Sequence, residues 1–352
     1  MPQLLFIKHK VFNARTVEDD IFILSNRFKV KMKEVNTTKG INFFTALIYQ
    51  YFYLLFNIYK YKIIFIWFAD YHSLLPVFFS KMFNKICIIN IGGYDADEIL
   101  IGNPKSLKEK FRKYCVSYSV NNASKLFPVS NLMKSHLVKY VNPAKCETIY
   151  CCIDTDKFTP PEEIPDKENI IVTVGGGGDY IKEAKRKRLD YFIELGEKFN
   201  SLYPGYNTKF IAIGHDKDTN TYKYLSELIT CSNIELKPMT RSVQELIDYY
   251  KNASIYMQLS YFEAFGIAQV EAMLYGCIPI SNNGGAISEV IGDAGFIIDN
   301  YDTDIYVAKI KEVLDKKHEN LRALASHRAL NSFSLNTRKA KLLAAIETLL
   351  KK

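Results

Sequence analysis

The sequence has no C-x-x-C pair, no internal repeat, no coiled-coil heptad and no apolar run of membrane-spanning length. Each absence removes a class of protein. The seven cysteines are odd in number, and only Cys151 and Cys152 are adjacent. Neighbouring cysteines rarely bridge, so reduced thiols in a cytoplasmic chain are expected, without a metal cluster. The most lipid-like segment, Phe43 to Ile58, is interrupted by Gln50 and Asn57 and falls short of the ~20 residues that span a bilayer. The first ten residues place a short apolar run before lysines, the reverse of a signal peptide. The glycines of "VGGGGD", Val174 to Asp179, do not form G-x-G-x-x-G, because the last position is Tyr180. No G-K-[ST] follows them, so a P-loop is excluded and a nicotinamide site is set aside.

What is present is a globular profile: 352 residues, 48% apolar and 24% charged, enough for two ordinary domains. The net charge of +8 is unevenly shared. Residues 1–150 carry 21 basic and 10 acidic side chains, while the remainder is slightly acidic. A basic half points to an anionic partner on one face. No nucleic acid is expected.

Apolar runs alternate with amphipathic stretches, the pattern of parallel sheets with crossover helices. "LLFIKH", "KIIFIWF", "ICIINI" and "KLFPVS" predict strands in the first half. "NIIVTV", "KFIAIG", "NIELK", "IYMQLS", "CIPIS" and "GFIID" predict them in the second. The proline-rich stretch Lys157 to Asn169 separates the halves. The expected domains are 1–160, joined by a C-terminal helix at 336–352, and 161–335.

The segment "SYFEAFGIAQVEAMLYGC", Ser260 to Cys277, carries Glu263 and Glu271 eight residues apart. With Ile267 at zero on a helical wheel, Glu271 lies at about 40°, inside the stripe of Val270 and Leu274. A buried carboxylate needs a hydrogen-bonding partner. That partner is either a ligand bearing hydroxyls or a neighbouring protein group, and the wheel leaves both open. Gly266 stands where the helix starts, so the N–H groups of Gly266, Ile267 and Ala268 would offer a phosphate site. Glu263 follows a strand, on the edge of an α/β sheet where ligands bind.

The run "EAFGIAQVEAMLYGCIPI", continued by "NGGAISEVIGDAGFII", resembles the donor-binding signature of the retaining GT-B glycosyltransferases of family 4. Further segments are similar to that family: "CCIDTDKF" before the linker, "KRKRLDYFIEL", "FIAIGHD", and more loosely the first half. The resemblance implies two Rossmann-like domains facing a central cleft, with the C-terminal helix packing on the first domain. It implies sugar transfer from a UDP- or GDP-linked sugar to a glycan or lipid-linked acceptor, in cell-surface polysaccharide or glycoconjugate synthesis. Retention of anomeric configuration is implied, with no cofactor and no metal.

By the same resemblance Glu263 would bind the transferred sugar and Glu271 the ribose. Backbone groups of Phe265, Gly266 and Ile267 would assist, and Lys187 and Arg186 would neutralise the diphosphate beside Gly175. The loop around Met239 would read the base, and Gly93 and Asp95 would lie on the acceptor side. The chain departs from the family at three places: Gly176 stands where an arginine is usual, Gly92 where many members have a histidine, and the loop "KHKVFNARTVEDD" after the first strand lacks the usual glycine pair. A non-catalytic nucleotide- or glycan-binding relative, a GT-B epimerase and a phosphorylase are the alternative readings. Lys108, Lys110, Arg112 and Lys113, within 105–114, and the aromatic run 43–58 are expected to meet an anionic membrane on its cytosolic face. The rival reading makes 43–58 a core helix.

Overall fold

The computed structural model describes residues 1–10, 15–37, 41–175, 179–316 and 318–351. The chain divides into two units, Met1–Cys152 with Leu335–Lys352, and Ile153–Ser334. Each is a Rossmann-like parallel sheet flanked by helices.

The first unit runs β1 (Gln3–His9), α1 (Arg15–Ser25), β2 (Lys29–Val35), α2 (Ile41–Asn57), β3 (Ile63–Trp67), α3 (Tyr71–Met82), β4 (Ile86–Ile91), α4 (Leu107–Asn122), β5 (Lys125–Pro128) and α5 (Asn131–Leu137). The strand order is β2-β1-β3-β4-β5, all parallel. β3 is buried at every residue, and β4 at all but Ile86. This is the both-faces-covered burial that parallel strands require. β2 was not among the expected strands. Its sequence, KVKMKEV, has no apolar run, and only Val35 is buried. It lies at the sheet edge, where lysines are tolerated and guard against strand pairing.

The second unit runs β6 (Glu168–Val174), α6 (Ile181–Arg186), α7 (Leu189–Leu202), β7 (Lys209–Ile213), α8 (Asn220–Ser226), β8 (Ile234–Lys237), α9 (Val243–Asn252), β9 (Ala253–Gln258), α10 (Ile267–Leu274), β10 (Ile278–Ser281), α11 (Ile287–Ile291), β11 (Phe296–Ile297), α12 (Thr303–Asp315) and α13 (Glu319–Phe333). Its order is β11-β10-β9-β6-β7-β8. The order reverses between β6 and β9, the switch point at which an open α/β sheet leaves a crevice beyond its carboxyl ends. The division at Cys152/Ile153 falls ahead of the expected 160/161 boundary. Ile153 N–H donates to Phe333 O at 2.8 Å, and Ile153 bridges Ser334, which ties the start of this segment to the second unit.

The last helix, α14 (Leu335–Leu350), returns to the first unit. Arg338, 2% exposed, reaches Asp20 of α1 with two nitrogens, each at 2.7 Å. Trp67 Nε1 donates to the same carboxylate at 2.8 Å. Burial opposes the charge of Arg338, but Asp20 stabilises it and holds its pKa above the ordinary value.

Two surface helices of the first unit depart from expectation. In α2 the buried positions Gln50 and Leu54, followed by Ile58, recur every four residues. The opposite ridge of Phe44, Ile48, Phe52 and Phe56 is 66, 57, 51 and 64% exposed. The core-helix reading of 43–58 therefore holds for one narrow stripe only. α4 begins at Leu107, capped by Ser106 and Glu109 in a capping box. Within it Arg112 is only partly offered to solvent, its side chain 37% exposed. Its Nε and NH2 grip Asp70 at 2.9 and 2.6 Å. Lys113 donates to Gly102 O at 2.9 Å, so only Lys108 and Lys110 of that basic set are exposed. Among the described residues no helix is long and apolar enough to cross a membrane.

Candidate active site

Two strand-to-helix loops meet at the carboxyl edge of the second sheet. The β9–α10 loop carries Ser260 to Gly266, and the β10–α11 loop carries Asn282 to Ala286. Glu263 N–H donates to Gly284 O at 3.1 Å, and Ala286 N–H to Glu263 O at 2.8 Å. Asn282 Nδ2 donates to Ser260 O at 2.9 Å. This close approach needs the glycine pair. A Cβ at Gly284 would lie 2.1 Å from Ser260 O, and one at Gly285, where φ is +76°, 2.3 Å from Glu263 O.

The Glu263 side chain is 17% exposed. Its Oε1 accepts from Ser260 Oγ at 2.8 Å and Gln258 Nε2 at 3.3 Å, and it faces Arg186 NH1 at 3.5 Å. All three contacts fall on one oxygen. Oε2 makes no hydrogen bond among the described residues and is the free acceptor of the loop.

Arg186 ends α6 and holds this loop in place. Its NH1 donates to Phe262 O at 2.7 Å, its Nε to Glu183 at 2.9 Å, and its carbonyl accepts from Tyr261 N–H at 3.0 Å. Burial works against its charge, yet Glu263 and Glu183 hold its pKa above the ordinary value. Two of its three guanidinium nitrogens bond to protein, which leaves the NH2 donors for the expected diphosphate role. Lys187 follows, with Nζ donating to Val174 O at 3.1 Å. An ammonium has three donors, so two remain. Burial pulls its pKa below the ordinary lysine value, and Glu263 opposes the shift.

Glu271 lies inside the protein, 2% exposed, as do its helix neighbours from Gln269 to Leu274. The wheel placed it correctly. Tyr250 of α9 donates its hydroxyl to Oε2 at 3.2 Å, a partner that lies well outside the motif. Gly266 caps α10 with φ +87°, a left-handed backbone that favours glycine. A Cβ there would meet nothing within 4 Å, so the space before the helix start is open. Ile267 is the first helical residue. The Phe265 ring is buried edge-on against Phe333, with centroids 5.3 Å apart, so only its backbone can face a ligand.

Gly175 closes β6 at the switch point, its N–H donating to Ile213 O at 2.7 Å. A Cβ there would lie 2.3 Å from His215 Nε2. His215 is the histidine of the segment "FIAIGHD". It is buried at the end of β7, and burial, reinforced by Lys187, lowers its pKa to about 4. Gly176, the position of the usual arginine, lies outside the described residues. Met239 is half exposed on the loop after β8, its N–H bonded to Asp216 Oδ1 at 3.2 Å. A cavity of about 820 Å³ elsewhere in this unit is lined by Pro160, Lys167, Arg322 and their neighbours, and by none of the motif residues.

The acceptor-side expectations lie in the first unit. Asp95 is fully buried, and its carboxylate accepts from the N–H groups of Ala69, Gly92, Gly93 and Ala96. Burial raises its pKa to about 6, against the pull of those bonds. Asp95 therefore organises the turn, in which Gly93 has φ +138°. No side chain fits at Gly92 beside the Phe68 ring. A Cβ there would lie 1.9 Å from the ring of Phe68, which occupies the space.

The model of the family described as glycosyl transferases group 1 matches residues 154–330. The capsular polysaccharide biosynthesis glycosyltransferase CapM of Staphylococcus aureus is 28% identical over 148 residues, 40% of this chain and 38% of that protein. The D-inositol 3-phosphate glycosyltransferase of Mycolicibacterium smegmatis is 23% identical over 232 residues, 61% of this chain and 51% of that protein. The chain thus spans about half or less of these curated relatives' length. Among solved structures, sucrose-phosphate synthase from Thermosynechococcus elongatus superposes with a TM-score of 0.77 at 14% identity, over 100% of both chains. Anabaena HepE, solved with UDP and glucose, gives 0.73 at 13% identity, over 99% of this chain and 100% of that one. At these identities the structural likeness speaks for the fold.

Proposed function

The chain belongs to the glycosyl transferases group 1 family, and from that premise we propose that it is a retaining glycosyltransferase using a UDP- or GDP-linked sugar. The observation that carries the reading is the unoccupied Oε2 of Glu263 at the switch-point edge, with the Lys187 ammonium nearby. Glu263 would accept hydrogen bonds from the sugar hydroxyls, and Glu271 from the ribose. The spare Lys187 donors and the open start of α10 would take the diphosphate. Cations and helix ends aimed at the charge that develops as a leaving group departs contribute ~3 kcal/mol per donor. HepE was solved with UDP, which favours a uridine donor.

In this mechanism the bond from the anomeric carbon to the phosphate oxygen breaks, and the acceptor oxygen bonds to that carbon from the same face. The acceptor's proton passes to the departing phosphate oxygen, so neither a carboxylate base nor a metal takes part. The exposed ridge of α2 favours a lipid-linked acceptor at the cytosolic membrane face, in cell-surface glycan synthesis. Incubation with UDP- and GDP-sugars, with and without chelator, tests the reading. Release of nucleoside diphosphate and a product of unchanged anomeric configuration are expected. An inverted product removes the mechanism, and nucleotide binding without release makes the chain a non-catalytic relative.

A further inference from the structure

A cavity of about 440 Å³ lies in the first unit between the edge strand β2 and helix α2. Its volume is within the ~300–1,000 Å³ of small-ligand sites. Nothing in the proposed transfer chemistry uses it. Its floor is Leu5, Ile7, Val35 and Leu54, all buried and aliphatic. Ala46 and Tyr53 of α2 form a wall. Glu34, Asn36, Thr45 and Gln50 also line the cavity, while its aliphatic floor suits an alkyl chain.

The rim is different. Lys33 of β2 holds its ammonium over the Tyr53 ring at 4.1 Å and over Tyr49 at 5.6 Å, with Tyr49 Oη at 3.4 Å. No carboxylate of the described residues pairs with it. The nearest acid in sequence, Glu34, is taken by Lys8 at 3.1 Å. Lys29 and Lys31 extend the same edge strand and are exposed. Apolar floor and cationic rim are the two ends of one kind of molecule. The outer ridge of α2 supplies the third element, because a helix that exposes Phe44, Ile48, Phe52 and Phe56 is shaped to rest at a lipid interface.

We propose that the groove between β2 and α2 binds a single-chain anionic lipid, with its alkyl chain on Leu5, Ile7, Val35 and Leu54 and its phosphate at Lys33. This rests on the reading of a lipid-linked acceptor and names the part of that acceptor the first unit would hold. α2 would lie in the interface with its outer ridge in the membrane, while the groove beside it draws one lipid tail out of the bilayer.

The probe is decyl phosphate below its critical micelle concentration, titrated into the full chain and followed by tyrosine fluorescence and calorimetry. Saturable binding of one ligand per chain is expected. Decanol and inorganic phosphate should each bind at least about tenfold more weakly, since each lacks one of the two contacts. Ala46→Phe fills the groove and Lys33→Glu reverses the rim charge. Each should weaken decyl phosphate binding by about tenfold or more while leaving the melting temperature in place. If Ala46→Phe fails to fold, Ala46→Leu replaces it. No saturable binding to the wild type, or undiminished binding to both variants, overturns the proposal. Pelleting with anionic vesicles separates it from membrane docking. Wild type and Ala46→Phe that pellet alike without binding decyl phosphate would keep the docking and sink the groove. Decyl phosphate binding without pelleting would keep the groove and sink the docking.

Discussion

The helices α2 and α10 are both strongly apolar, and they meet opposite fates. α10 carries a glutamate and a glutamine, yet it is buried from Gln269 to Leu274. α2 has no charged residue, yet four large apolar side chains on one ridge stand in solvent. Apolarity alone therefore does not decide burial. α10 lies between its own sheet and α13, which leaves no open side. α2 covers an edge of the first sheet; the line of Gln50, Leu54 and Ile58 is buried, and Phe43 and Tyr51 pack on Tyr71 and Phe79 beside it. A polar group goes inside where a partner waits, as Tyr250 does for Glu271. An apolar ridge stays outside where no described residue lies over it.

Four experiments break or sharpen that contrast. The largest effect belongs to the core side of α10. Leu274→Ala, at a fully buried position, should lower stability by ~2–5 kcal/mol in denaturant titrations. A loss below ~0.5 kcal/mol, the range of surface changes, would mean that α10 is not the packed helix described.

Next is the carboxylate itself. Glu271→Ala should weaken nucleoside diphosphate binding by ~1.5–3 kcal/mol in calorimetry, the value of a hydrogen bond to a charged group. Tyr250→Phe separates ligand from scaffold, because it removes one protein partner and leaves Glu271 in place. It should cost ~1 kcal/mol of stability and change nucleotide affinity little. The reverse pattern, with Glu271→Ala losing stability and keeping affinity, would make Glu271 a structural residue.

Acid tests the seat of α2. Gln50 Nε2 donates to the carbonyl of His72 at 2.9 Å, and the His72 ring is wholly buried. Burial lowers its pKa from 6.5 to about 4, with Asp70 opposing. Between those values the unfolded chain binds the proton and the folded chain does not, so stability rises with pH. It should be lost as pH falls through that window, by ~1–3 kcal/mol. His72→Gln should flatten this slope in denaturation midpoints measured from neutral pH downward. An unchanged slope would place the acid sensitivity elsewhere.

The smallest effect on stability belongs to the outer ridge. Phe52→Ser and Phe56→Ser should each change stability by no more than ~0.5 kcal/mol. The pair should nevertheless reduce pelleting with anionic vesicles. A large stability loss would show that the ridge is covered in solution, and unchanged pelleting would remove it from membrane contact.

Much of this protein followed from its sequence alone. The strands β3, β4, β6 and β9 announced themselves as apolar runs, and the period of α10 put Glu271 on its inner side. The left-handed start at Gly266 is equally local. Such features follow from φ restrictions and from the periods of strand and helix, which act over a few neighbouring residues. β2 escaped because an edge strand need not be apolar, and its lysines carry no periodic signal. Tertiary structure decided the rest. It set Tyr250 on Glu271, left one oxygen of Glu263 free, put the Phe68 ring where Gly92 lacks a side chain, and turned Arg112 onto Asp70. Each of these rests on contacts or open space between segments that only folding brings together, and a local pattern carries no record of them.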